Sequence, residues 1–244
     1  YHDRTRAGVI AQMHPRSLTA RHAALAAAHA RQPGADPVAL AYHERGAGNR
    51  EAAGRFAVLA AAAAERALAF GQAAEHYEAA ARDLEASEGG ADPSSLQQLA
   101  RRRADALGNA GRGREAGEAY LECATDTPEE GDELRRLAAE HFMTSAELDR
   151  GRGVLEALLR DHKLSVPGGR NGAILGLVKN LAWLRLRGVG SKSTPTEDID
   201  PKTVAQIELL ISAYRGYVNF NPVWAGYFAL EALRRSLSSG YEPG

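Results

Sequence analysis

The sequence has a single cysteine and no long apolar run, and both shortages limit what the protein can be. Cys123 stands alone among 244 residues, so an internal disulfide framework is excluded, a reducing compartment is expected and this thiol is interpreted as a small buried hydrophobe. The longest apolar run, residues 56–64, is far shorter than the ~20 residues of a membrane-spanning helix. The N-terminus also lacks a signal-peptide pattern. We therefore expect a cytoplasmic chain without a membrane partner.

An excess of charge of one sign is also missing. The chain carries 30 Lys and Arg against 31 Asp and Glu, a formal net charge of −1. Because phosphate binding usually leaves a clearly basic surface, we expect no nucleic-acid partner. Hydrophobic residues make up 44% of the chain, which is enough for a continuous core.

Strand patterns with a period of two residues are absent, whereas helix signals are frequent. Four prolines directly follow a capping residue, at Asp36-Pro37, Asp92-Pro93, Asp200-Pro201 and Asn221-Pro222, and such pairs open helices. The sequence predicts eleven helices, near 16–31, 37–46, 49–69, 71–87, 94–110, 112–126, 130–147, 149–163, 171–187, 201–219 and 222–239.

Small and aromatic residues repeat about every 35 positions in the middle of the chain. Ala104, Ala116 and Tyr120 are followed at an offset of 35 by Ala139, Gly151 and Leu155. An earlier copy has Ala73 and Tyr77 at an offset of 43, and we attribute the extra residues to a longer connection at 88–93. Helical hairpins with a period near 34 are typical of tetratricopeptide repeats. The predicted fold is therefore an all-α, tetratricopeptide-like solenoid of antiparallel helical hairpins.

A search for catalytic or metal-binding patterns is negative. His22 and His29 lie seven residues apart on one helix face, about 10 Å, which is too far to share one ion. The segment 188–193 is interpreted as a flexible linker, because Ser191 rather than glycine precedes Lys192 and a helix leads into it. We expect no metal, no cofactor and no catalytic residue.

Several segments together resemble a known family. They are His2-Asp3-Arg4, residues 25–29, residues 39–56 and residues 67–77, with weaker likeness through 155–159 and 184–188. They are similar to the part that follows the ATPase module in bacterial signal-transduction ATPases with numerous domains, many of which carry a serine/threonine kinase in front. The resemblance implies a cytoplasmic sensor-scaffold arm that binds a protein or small inducer and regulates ATPase or kinase domains of the same polypeptide. No nucleotide-binding residue of the family falls within this chain.

We expect three parts. The resemblance makes residues 1–15 the end of a winged-helix part. The repeat pattern makes 16–166 tetratricopeptide-like repeats, and it degrades after Pro167, so we expect 167–244 to be a truncated C-terminal helical extension. The start at Tyr1 and the end at 238–244 lead us to expect a piece of a longer polypeptide.

Tetratricopeptide arrays commonly bind ligands on a concave face formed by the first helix of each repeat. Alignment of the two clearest repeats predicts eight partner-binding residues. These are Gln98, Arg101, Asp105, Asn109, Glu133, Arg136, Glu140 and Thr144. Their mixed charges suit a polar or charged peptide; in the alternative interpretation they are merely solvent-exposed.

Other functions stay open from the sequence alone. The main alternative is a small-molecule effector domain in which the curved array closes around a ligand, and an enzyme is a weaker one. Homo-oligomers could form through the last two helices, which are rich in aromatic residues such as Tyr217, Trp224 and Phe228.

Overall fold

The structure is a computed structural model that describes residues 8, 11–123, 125, 127–188, 190 and 194–242. All eleven predicted helices are present, and the described part of the chain contains no strand, which confirms the all-α class. The helices are α1 (Pro15–Ala30), α2 (Pro37–Gly46), α3 (Arg50–Arg66), α4 (Phe70–Glu85), α5 (Pro93–Asn109), α6 (Gly113–Glu122), α7 (Pro128–Thr144), α8 (Leu148–Asp161), α9 (Arg170–Arg187), α10 (Pro201–Tyr217) and α11 (Pro222–Ser239), with a 3-10 turn at Thr196–Asp198.

Two stretches used in the sequence analysis lie outside the described residues. They are the His2-Asp3-Arg4 motif and most of the linker at 188–193. Among the helix bounds, the largest difference from prediction is at α6, which ends at Glu122 rather than at 126. Cys123 has an extended backbone, with φ −63° and ψ 117°, and this stops the helix.

Three consecutive hairpins, α3–α4, α5–α6 and α7–α8, are joined by the same three-residue loop. The central loop residue is left-handed in each, with φ 57° at Leu68, 75° at Gly111 and 66° at Ala146. The amide of the next residue donates to the carbonyl five residues earlier, at 2.8–3.0 Å. This backbone bond closes the end of the first helix. The first helices α3, α5 and α7 also have one length, 17 residues each.

The difference between the repeat offsets of 43 and 35 residues has another cause than the predicted one. Helix α4 has 16 residues and α6 has 10, so six of the eight extra residues extend a helix. The remaining two lengthen the connection between hairpins, which is 86–92 after α4 and 123–127 after α6. The prediction that a longer loop at 88–93 accounts for the difference is therefore wrong in its larger part.

Small residues at the repeat positions allow the helices of a hairpin to approach closely. Ala104, Ala116 and Ala139 are at most 1% exposed. A Cβ added to Gly151 would lie 2.9 Å from the carbonyl oxygen of Ala139 and 2.5 Å from Cγ of Met143. Backbone at that distance cannot yield, so this crossing of α7 and α8 requires glycine.

The chain divides after residue 124 into two compact units. In unit 1 (residues 1–124), Asp83 of α4 is 1% exposed and accepts hydrogen bonds from Arg45 of α2 and Arg50 of α3. In unit 2 (residues 125–244), Tyr217 of α10 packs against Trp224 and Phe228 of α11 at ring distances of 5.3 and 5.6 Å. The predicted parts 16–166 and 167–244, and the solenoid arrangement, stay predictions.

Candidate ligand-binding faces

The four predicted partner-binding residues of unit 1 share one face of α5. Gln98 and Asn109 are exposed, and Arg101 and Asp105 are partly buried. The Asp105 carboxylate accepts a hydrogen bond from the Tyr120 hydroxyl at 2.5 Å. Asp105 therefore orders the hairpin internally, while the two amides at the ends of this face are open to solvent.

The corresponding face of α7 in unit 2 is largely occupied by its own side chains. The Arg136 guanidinium donates to Glu133 and Glu140 at 2.8 Å and to the Ser212 hydroxyl of α10 at 3.0 Å. Burial would lower the pKa of Arg136, but the two carboxylates outweigh it and raise the pKa. Thr144 is exposed, and its hydroxyl donates to the Glu140 carbonyl at 3.0 Å. Helix α10 thus contacts the middle of this face.

The two faces therefore differ in what they offer a partner. On α5 the exposed groups are amides, which supply both donors and acceptors. On α7 only Thr144 is exposed among the four predicted residues. Partner binding stays a prediction for all eight.

A cleft of about 610 Å³ lies in unit 2 between α7, α8 and α10. His162 Nε2 is 2.5 Å from Asp132 Oδ2. Arg135 donates to Asp132 and, at 2.8 Å, to Asp161. Lys202 of α10 also lines the cleft. Both signs of charge stand at its wall, so it offers hydrogen bonds to a polar ligand.

No sequence pattern predicts this cleft. Asp132 and Arg135 are three residues apart in the acidic first half of α7, and that spacing alone predicts an ion pair. His162 is 30 residues from Asp132 and belongs to the end of α8, so no local pattern connects it to them.

A second cavity, of about 630 Å³, is lined by His22 of α1 and His43 of α2 in unit 1. Nδ1 of His22 and Nδ1 of His43 are 3.0 Å apart, and the His29 ring stacks on His43 with centroids 5.4 Å apart. Burial and then the neighbouring His22 and His29 lower the pKa of His43. Sequence spacing relates only His22 and His29, and the contacts of His43 with both depend on how α2 packs against α1. Among the residues that the structure describes, no three His, Cys, Asp or Glu side chains are placed to hold a metal ion.

Comparisons with known proteins give little information. No family model and no curated protein matches the chain. Among solved structures, the crystal structure of BtubC (BKLC) from P. vanneervenii is 15% identical, with 96% of this chain and 95% of that chain covered, at a TM-score of 0.35. A likeness of this strength carries no argument about function. Within the described residues, no helix is both long and apolar enough to cross a membrane.

Proposed function

We propose that this chain is a non-catalytic protein-interaction and regulatory segment of a larger bacterial signalling ATPase or kinase. The observation that supports it best is the repetition in α3–α4, α5–α6 and α7–α8, with first helices of 17 residues and one loop geometry. Repeated hairpins of this kind are typical of tetratricopeptide proteins, which present exposed positions of the first helix to partners.

The proposed partner is a polar peptide or protein segment, which includes other domains of the same polypeptide. Gln98 and Asn109 lie on one face of α5, three turns of helix apart, and both are exposed. Side-chain amides at this spacing can bind the backbone of an extended peptide through paired hydrogen bonds. Arg136 is a weaker candidate, because three groups of this chain already bind it.

The first experiment determines which polypeptide carries this chain in the cell. Immunoprecipitation with an antibody against the purified chain, followed by intact mass and N-terminal sequencing, gives the native length. The proposal expects a much longer chain with a phosphate-binding module before this segment. A native protein of about 26.0 kDa, the mass of this chain, would refute the signalling-arm proposal.

The second experiment tests the α5 face within that parent protein. Gln98→Arg adds bulk and charge at the exposed end of the face, and we expect it to change the rate of ATP hydrolysis or phosphorylation. Gln72→Arg is the matched control, because Gln72 is also exposed but lies on α4, the second helix of its hairpin. Equal rates for both variants and the unaltered parent would remove the α5 face from consideration.

The alternative function is a small-molecule effector domain, and the cleft of about 610 Å³ in unit 2 favours it specifically. A thermal-shift screen against polar metabolites tests it, because a ligand at a hundred times its Kd stabilises by about 2.7 kcal/mol. A ligand that binds in the cleft should no longer stabilise the Lys202→Ala variant. A screen without a single such ligand argues against the effector domain.

A further inference from the structure

Helix α9 in unit 2 combines positive charge with an exposed apolar surface. Its sequence has four basic residues, Arg170, Lys179, Arg185 and Arg187, and no acidic residue, although the whole chain has a net charge of −1. The exposed apolar side chains are Ile174 at 41%, Leu175 at 72%, Val178 at 58%, Leu181 at 54% and Leu186 at 90%. A run of exposed apolar residues on one helix is unusual on a soluble surface and marks an interaction site.

The opposite face of α9 is fixed to α11. A Cβ added to Gly176 would lie 2.5 Å from the Tyr227 ring, so the two helices are in close contact there. Asn180 is 3% exposed and donates to Glu231 at 3.2 Å. The inner face is therefore part of the fold, and the apolar residues on the outer face are not needed for this packing.

The outer residues form one stripe that contains one cation and has another at its edge. Ile174, Val178 and Leu181 follow at spacings of four and three residues, which places them in one row along the helix. At 100° per residue, Arg185 projects in a direction between those of Ile174 and Val178, near the C-terminal end of the helix, and Lys179 lies beyond Leu175 at the edge of the stripe. Within the part of the chain that the structure covers, Arg170, Lys179 and Arg185 have no carboxylate partner, whereas Arg187 is held by the Leu237 carbonyl at 2.7 Å.

Several occupants could cover such a stripe, and charge discriminates between them. A second copy of the chain would bring α9 against α9 and oppose four positive charges with four more. An acidic protein helix satisfies the charge but needs a groove into which its apolar row fits, and the stripe is a single convex helix surface. A lipid interface has no such shape requirement, because exposed apolar side chains can lie among the acyl chains while long Lys and Arg side chains extend to the headgroups.

We propose that the outer face of α9 docks this chain on an anionic phospholipid surface. The helix lies in the interface and does not span it. This inference departs from the sequence-based expectation of no membrane partner, which considered only spanning segments and signal peptides. It is independent of the proposed function, because it rests on α9 and not on α5 or α7.

Flotation of the full chain with vesicles tests the inference. The probes are vesicles of phosphatidylcholine with one-third phosphatidylserine, and vesicles of phosphatidylcholine alone. We expect binding to the anionic vesicles only, with a loss as salt is raised, because each cation near the surface contributes an interaction that salt screens. Equal binding to both vesicle types, or to neither, overturns the inference.

Two variants and a matched control identify α9 as the contact. Leu175→Glu should abolish flotation, and Lys179→Glu should weaken the partition coefficient by roughly fivefold or more. Leu68→Glu is the control, because Leu68 is a leucine of nearly the same exposure, 74%, in unit 1. Unchanged helical circular dichroism confirms that each variant is folded. If Leu68→Glu and Leu175→Glu reduce flotation equally, α9 does not bind lipid. The same conclusion follows if Leu175→Glu leaves flotation unchanged and only converts a dimer to a monomer.

Discussion

Removal of the buried charge at Asp83 should strongly destabilise unit 1. The carboxylate is 1% exposed. It accepts hydrogen bonds from Arg45 at 2.6, 2.8 and 3.1 Å and from Arg50 at 2.7 Å. These contacts connect α2, α3 and α4. Burial alone would raise the pKa of Asp83, but the two guanidinium groups outweigh it and lower the pKa. The ion triad is therefore fully charged near neutral pH.

The magnitude follows from what Asp83→Asn leaves behind. Breaking a buried ion pair by removing one partner costs about 3–5 kcal/mol. The Arg45 and Arg50 side chains are 36% and 43% exposed, so both can regain some hydration. We therefore expect the lower end, about 3 kcal/mol of unfolding free energy. The exposed Glu51–Arg55 pair is the control, with side chains 60% and 74% exposed, and Glu51→Gln should cost only about 0.3–0.5 kcal/mol.

Urea unfolding with two probes measures the effect. Both tryptophans, Trp183 and Trp224, belong to unit 2, so their fluorescence follows that unit, whereas circular dichroism follows the helices of both units. Asp83→Asn should shift the circular dichroism transition at neutral pH. If Asp83→Asn lowers the unfolding free energy no more than Glu51→Gln does, the triad does not stabilise unit 1.

The pH dependence of this difference has a defined sign. Because the pKa of Asp83 is lowered in the folded state, its contribution is complete above the unfolded pKa of about 3.9. It is lost as the pH falls through the lower folded value. The difference in unfolding free energy between Asp83→Asn and the unaltered chain should therefore disappear only in strong acid. A difference that disappears between pH 5 and 7 would show that another group is responsible.

Three further predictions concern other parts of the fold. Gly151→Ala should destabilise by about 2 kcal/mol or more through steric overlap, whereas Gly153→Ala on the same helix has open space and should stabilise by about 0.5–1 kcal/mol in thermal unfolding. Tyr217→Phe should be neutral or stabilising, because its buried hydroxyl has no hydrogen-bond partner among the described groups, whereas Tyr120→Phe should cost about 1–3 kcal/mol in urea. The pKa of His43 is below 6.5 in the folded state, so stability should fall as the pH drops below about 6.5, and His43→Gln should flatten that dependence in a pH series of Tm values.

Local signals account for what could be predicted from the sequence. A helix start at Asp36-Pro37 or Asp200-Pro201 depends on a capping side chain and on proline at the first helical position, and both are visible in neighbouring residues. The small residues Ala104 and Ala116 were identifiable as buried positions because the 35-residue offset repeats them. The turn at Cys123 has no such signal, and there the predicted helix was too long.

Contacts between distant residues could not be predicted in the same way. Asp83 accepts from Arg45, 38 residues earlier, and Ser212 accepts from Arg136, 76 residues away. Nothing in the sequence near Arg136 indicates that α10 contacts it. The predicted ligand-binding face on α7 was drawn from a repeat alignment, and an alignment of this kind does not show which later helix covers a repeat.

The common loop of the three hairpins has a consequence for engineering this chain. The first helix always has 17 residues, and the loop after it has one backbone geometry, so length varies only in the second helices and in the connections between hairpins. A peptide tag inserted between Gly89 and Gly90 would enlarge a connection that is already variable. An inserted residue at 67–69 would break the amide-to-carbonyl bond that closes α3. Hairpins can therefore be exchanged as cassettes if the cuts are made in the connections 86–92 and 123–127, whereas the α2–α3 connection at 47–49 has the same closing bond, from the Asn49 amide to the Glu44 carbonyl at 2.9 Å, and should stay intact.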